Sequence, residues 1–254
     1  MKNSLFILNV VTLISTIIVN YLSNTGIFNG ETMSSISARY ENLFTPAGYA
    51  FSIWGLIYFG LIAFFFVERK NENNVITRMG WWFIASCLAN MAWVIAWLYD
   101  YTGVSVLIMV ALLFCLLQII LRLGIGEEPV SMKRRVFTWW PFSIYAGWVS
   151  VALIANASAW LTKINWNGFG LSDTTWTVIM ICIAGAINML ITWKKNIPAY
   201  ALTGCWALVA IAVSNWNDTG IVKLTALVVA AILVLSILIH YFRGRNAKQA
   251  VLYS

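Results

Sequence analysis

The side chains of this sequence best suited to chemistry are rings and amides, and their spacing is helical. Phe51, Trp54, Gly55 and Tyr58 recur at i, i+3, i+4 and i+7, which sets aromatics around a glycine on one helix face. Ser86, Asn90, Trp93 and Trp97 share a second face, and Tyr145, Trp148, Ala152 and Asn156 a third, continued by Ala159 and Trp160. Such faces suit a flat, mostly apolar molecule, held by stacking and area burial and oriented by a few hydrogen bonds. An asparagine amide in hydrocarbon loses its water, so Asn90 and Asn156 are expected to turn inward and to set the orientation of whatever binds. Asn and Ser at helix contacts also serve as plain interhelical ties, and spacing alone leaves a ligand pocket and ordinary bundle packing both open.

Other chemistries lack their parts. The acidic residues Glu31, Glu41, Glu68, Glu72, Asp100, Glu127, Glu128, Asp173 and Asp218 all lie outside the apolar runs or at their margins, so no buried carboxylate offers a proton relay or a cation site. His240 is the only histidine and reads as an interfacial residue. A zinc or di-iron centre is therefore not expected, no nucleophile and base can be paired, and no catalytic residue is nominated. Cys87, Cys115, Cys182 and Cys205 fall inside apolar runs without paired spacing and read as small buried hydrophobes.

The elements that must position these faces are membrane helices. With 61% hydrophobic and 10% charged residues, the chain has too little polar surface to clothe a soluble globule. The expected fold is all-α, a polytopic bundle of about eight transmembrane helices, because each apolar run is long enough to cross a bilayer and must satisfy its backbone internally. We place helices at Leu5 to Leu22, Pro46 to Val67, Gly80 to Tyr99, Val104 to Leu123, Val136 to Leu161, Thr175 to Trp193, Pro198 to Asn215 and Ile221 to Phe242. The first run has no small-residue cleavage site after it and is read as an uncleaved helix. Pro46 and Pro198 are expected in first helical turns, and Asp173 and Asp218 as caps.

Charge sets the orientation. The termini and even-numbered connections carry Lys2, Arg69, Lys70, Arg78, Arg122, Lys133, Arg134, Arg135, Lys194, Lys195, Arg243, Arg245 and Lys248, against Arg39, Lys163 and Lys223 on the odd-numbered ones. Cationic flanks stay on the cytoplasmic face, which puts both termini inside. The net charge of +7 lies beside apolar segments, where anionic lipid headgroups and not nucleic acid are the expected partner. Trp81, Trp82, Trp139, Trp140, Trp166, Trp176, Trp193 and Trp216 sit near helix ends and read as interfacial belt residues without chemistry. The long polar stretch from Ser23 to Thr45 falls outside, as a lid over the bundle or as a disordered surface loop.

The run from Phe44 to Tyr58, FTPAGYAFSIWGLIY, resembles the start of the second helix in the TspO/MBR family, the tryptophan-rich sensory proteins related to the mitochondrial translocator protein. Asn90 and Trp93 resemble that family's third-helix Asn-x-x-Trp, and Trp148, Asn156 and Trp160 its fifth-helix pattern. The resemblance runs from about Leu5 to Trp160 and implies a five-helix unit that binds porphyrins, sterol-like lipids or synthetic ligands in a pocket closed by the loop between helices one and two. Carried onto this chain, it implies a lining of Trp54, Tyr58, Asn90, Trp93, Trp97, Trp148 and Asn156, to which the helical face adds Phe51. Ala47 stands where the family has the second residue of a proline pair, and Tyr49 where it has Trp. Leu238 to Arg243 forms a weak sterol-type pattern.

The chain thus divides into a five-helix unit at 1–162 and three additional helices with a cytoplasmic tail at 163–254. The expected function is binding of a hydrophobic, tetrapyrrole or sterol-like ligand as sensor, carrier or regulator in the inner membrane. No cofactor is required, a tetrapyrrole is the candidate ligand, and homo-oligomerisation is left open. A small-molecule transporter and a tetrapyrrole-modifying enzyme are the alternatives.

Overall fold

A computed structural model describes residues 2–69, 74–127, 130–217 and 220–252, with side chains from 4 to 242 within those ranges. All regular structure among the described residues is helical. In chain order the elements are α1 (Lys2–Leu22), α2 (Met33–Arg39), α3 (Ile53–Glu68), α4 (Val75–Met79), α5 (Trp82–Leu98), α6 (Thr102–Leu123), α7 (Met132–Arg134), α8 (Trp140–Lys163), α9 (Asp173–Lys195), α10 (Pro198–Ser214) and α11 (Gly220–Leu252). A 3-10 turn, Gly48–Ser52, leads into α3, and a π-helical turn, Arg135–Trp139, joins α7 to α8.

Length and composition make six of these segments able to cross a membrane: Ser4–Leu22, Gly48–Glu68, Thr102–Leu123, Met132–Lys163, Asp173–Lys195 and Gly220–Phe242. Two shorter apolar helices, Trp82–Leu98 and Pro198–Ser214, complete the bundle. At 17 residues each they sit at the lower limit of about 17 residues for a span. The chain is therefore an all-α, polytopic membrane protein.

Several expected boundaries shift for local reasons. Pro46 precedes the first helical turn, because the chain enters α3 through the 3-10 turn that begins at Gly48. Ser172, not Asp173, caps α9: its hydroxyl accepts the Thr175 N–H at 3.2 Å, and Asp173 becomes the first helical residue. Pro198 does open α10. Asp218 lies outside the described residues. The fifth span begins at Met132 and not at Val136, and the π turn lets it run on as one segment to Lys163. The helix α2 was not expected from the sequence; Thr32 and Ser35 nucleate it through a reciprocal cap, with bonds of 3.1 and 2.9 Å.

The core sits where α3, α5 and α8 meet, backed by α6 and α10. Phe64, Phe83 and Phe142 are fully buried there, with Phe64 and Phe142 edge to face at 5.0 Å and Phe65 and Phe83 at 5.1 Å. On the far side of α8, Gly147 allows α10 to close in: a Cβ at that position would stand 2.7 Å from the Tyr200 carbonyl oxygen. The Cys side chains are free, and Cys182 is exposed on the bundle surface, not buried as expected.

Candidate ligand-binding cleft

Between α3, α5 and α8, toward the end of the bundle that carries Asp100 and Lys163, the packing opens into a cleft. It encloses about 530 Å³ of empty space, part of it outside the mouth. Trp54 lies 6.1 Å from Trp93 and 6.4 Å from Trp148 between ring centroids, and Phe51 lies 6.1 Å from Trp148. The rings of three helices thus converge on one space. Small residues make the room: Ala152, Ala155 and Ala159 continue the α8 wall at helical spacing beyond Trp148.

Of the residues expected at the site, Phe51, Trp54, Trp93, Trp97, Trp148 and Asn156 line the cleft. Tyr58 and Asn90 do not. Tyr58 stacks on the back of Trp54 at 5.7 Å and 20° between planes. Asn90 is fully buried, accepts from the Asn20 amide at 2.7 Å and donates to the Tyr145 hydroxyl at 3.1 Å, so it ties α1, α5 and α8 together. Asn156 is also committed. Its Oδ1 accepts the Trp93 indole N–H at 2.8 Å, and its Nδ2 donates to the Ser105 hydroxyl at 2.8 Å. The amides were expected to orient a ligand; in the structure they act as ties, because each finds partners on neighbouring helices.

The free donor is elsewhere. Trp148 is 2% exposed and its Nε1 has no hydrogen-bond partner, which makes its N–H the orphaned polar group in the wall. Met33, Ser37, Thr45 and Pro46 complete the lining from the segment between α1 and α3. Sequence reasoning named neither Met33 nor Ser37, although the Thr32 to Ser35 cap was a usable signal. Nor did it find Asn20, which lies four residues after Thr16 in the first apolar run.

The segment from Ser23 to Thr45 is folded over the cleft. Ile36 is fully buried beneath it and Phe44 is 2% exposed. The Trp97 indole donates to the Met33 carbonyl at 3.3 Å, and Asn29 donates to the Leu98 carbonyl at 3.2 Å. Asp100, in the turn between α5 and α6, holds the rim: it accepts from the Tyr40 hydroxyl at 2.8 Å and pairs with Lys163 at 3.0 Å. Arg39 lies 3.9 Å from Asp100 and is ion-paired to Glu31. The bond from Ser35, and then that from Arg39, holds the Glu31 carboxyl below its ordinary pKa. Burial, and then the bond to Asp100, raises the Tyr40 phenol, which stays a donor. Arg39 and Lys163, two of the cations that break the charge asymmetry, are thus both engaged by one carboxylate.

The second half of the chain reaches the mouth. The Ala47 N–H donates to the Ala210 carbonyl at 3.0 Å, the Trp206 indole donates to the Ala50 carbonyl at 3.1 Å, and Asn215 donates to the Leu43 carbonyl at 2.9 Å. Tyr49 meets Trp206 edge to face at 5.2 Å. This explains why position 47 departs from the proline pair: a proline there would have no N–H to give to α10.

No curated protein and no solved structure matches the chain. A family model, described as TSPO-like protein, matches residues 6–239, well past Trp160 and through most of the three additional helices. With the tryptophan cleft, its lid and a match over nearly the whole length, the chain belongs to the TSPO-like protein family.

Proposed function

We propose that this protein binds a flat hydrophobic molecule, tetrapyrrole or sterol-like, in the cleft between α3, α5 and α8, and acts as a sensor, carrier or regulator. One observation carries the reading: Trp54, Trp93 and Trp148, from three helices, converge on a single cleft with a mostly apolar lining, the kind of wall that suits a flat hydrophobic molecule. Stacking and apolar burial supply the affinity, and the unpartnered Trp148 N–H supplies an orienting donor. The segment from Ser23 to Thr45 acts as the lid. The cation asymmetry supports a topology in which all eight apolar helices cross the inner membrane, with both termini cytoplasmic and the lid outside.

Binding is favoured over passage. The filled junction of Phe64, Phe83 and Phe142 lies directly below the cleft, so a translocated solute would have to displace fully buried rings. Titration of the purified protein with protoporphyrin should quench tryptophan emission saturably. Trp93→Ala and Trp148→Ala should each weaken the affinity by about tenfold or more, because each indole brings both stacking and apolar area to the ligand. Unchanged affinity in both variants would place the ligand elsewhere.

A further inference from the structure

At the opposite end of the bundle, a second pocket, about 340 Å³ of empty space counting its open mouth, lies between the π-helical turn before α8 and the first turn of α10. Arg135, Trp139, Trp140, Ser143, Asn196 and Pro198 line it, and none of its lining residues is acidic. We infer that this cavity is a binding site for the phosphate of an acidic phospholipid headgroup in the inner leaflet.

Three features support this site. Arg135 has no ionic partner among the described residues, although it lines the cavity. Trp139, expected as a belt residue, is instead 5% exposed, and its Nε1 is buried without an acceptor. A buried indole N–H without an acceptor is costly, and an acceptor arriving from outside the protein removes that cost. The first turn of α10 faces the same space with the positive end of its dipole. The Arg135 guanidinium and the Trp139 N–H, both without an anionic or acceptor partner among the described residues, therefore ask for an anion.

Its depth selects the anion. Arg135 follows Lys133 and Arg134 at the point where the chain passes into apolar α8, and Trp140 is 37% exposed beside it, an arrangement suited to the headgroup zone. The walls are also held in place. Asn196, in the left-handed turn between α9 and α10, donates to the Gly126 carbonyl at 3.4 Å and meets His240 Nε2 at 2.6 Å. Gly126 admits this contact because a Cβ there would stand 1.7 Å from the Lys195 carbonyl oxygen. An apolar acyl chain can leave the cavity along α8 and α10 into the bilayer, which a soluble phosphate would not need.

The test uses the full-length protein in nanodiscs of phosphatidylcholine, into which fluorescent phosphatidylglycerol or phosphatidylcholine with the same acyl chains is titrated. The wild type should retain phosphatidylglycerol preferentially. Arg135→Gln should reduce that preference by about tenfold, Trp139→Phe by a few-fold, and Arg135→Lys should keep part of it. Arg78→Gln, which removes a basic-end cation that does not line the cavity, should leave it unchanged. Equal retention of the two lipids, or variants at Arg135 and Trp139 that both behave as wild type, would overturn the site. Competition by inorganic phosphate as effective as that by the lipid would overturn the lipid assignment.

Discussion

At the lid end of the α3, α5 and α8 junction, Trp54, Trp93 and Trp148 surround empty space; about 15 Å along the axis, Phe64, Phe83 and Phe142 fill it. The same helices build both regions, so the difference lies in what faces the rings. In the filled half, phenyl edges meet phenyl faces across every helix contact, at 5.0 Å for Phe64 and Phe142 and 6.1 Å for Phe83 and Phe142. In the open half, Trp54 meets Trp93 at 6.1 Å and Trp148 at 6.4 Å, and the rest of the α8 wall is lined by Ala152, Ala155 and Ala159, whose methyl groups leave the space beside the indoles unfilled. Phenyl rings on all three helices close the bundle, and alanines beside the indoles on α8 leave a cleft. One set of helices thus holds both a cleft and the filled floor beneath it.

Substitutions in the two halves should separate stability from binding. The largest stability effect is expected for Phe142→Ala, a loss of about 3–5 kcal/mol from a fully buried ring, with ligand affinity little changed in the protein that remains folded. Trp54→Ala, from a half-buried ring of the cleft, should shift the balance: affinity down about tenfold, with a smaller loss of stability than Phe142→Ala causes. If both substitutions moved both quantities together, the two halves would be one packing unit and the comparison would fail.

A smaller effect is expected where the second half of the chain supports the mouth. Ala47→Pro removes the hydrogen bond to Ala210 and leaves a carbonyl without its donor, which should cost about 1–3 kcal/mol in a thermal melt. Smaller still is the effect of Asp100→Asn. The pairs that it makes are partly exposed, so stability should change by less than about 1 kcal/mol, while ligand release, measured by displacement, should quicken as the lid loses its common anchor. The pH dependence of that release follows from the same groups. Glu31 is held below its ordinary pKa, so its contribution persists above that value and is lost as the pH falls below it; Tyr40 is raised, so its bond to Asp100 is lost only as the pH rises past the ordinary phenol range. Release should therefore be flat around neutrality and faster at both extremes.

The helices and the aromatic faces could be read in the sequence because both depend on period and length, which the chain carries explicitly. Phe51, Trp54, Trp93, Trp97 and Trp148 share the cleft because their spacing already put them on inward faces. The role of the amides could not be read in that way. Whether Asn90 meets a ligand or the hydroxyl of Tyr145 depends on the rotation of α5 against α8, and nothing local sets that angle. The same holds for Trp139 and Trp140, adjacent in sequence and alike in composition: one is 5% exposed and the other 37%, because successive helical positions face different sides of the segment. The contribution of α10 to the mouth was hidden for a different reason, since Ala47 and Ala210 are joined through backbone groups that no side chain advertises.

The most direct measurement is a structure determined with protoporphyrin bound. The account predicts planar density between Trp54, Trp93 and Trp148 beneath the closed lid, within reach of the Trp148 N–H, with the phenylalanine floor unmoved. Density on the lipid-facing surface, or a cleft still empty at saturating ligand, would contradict it.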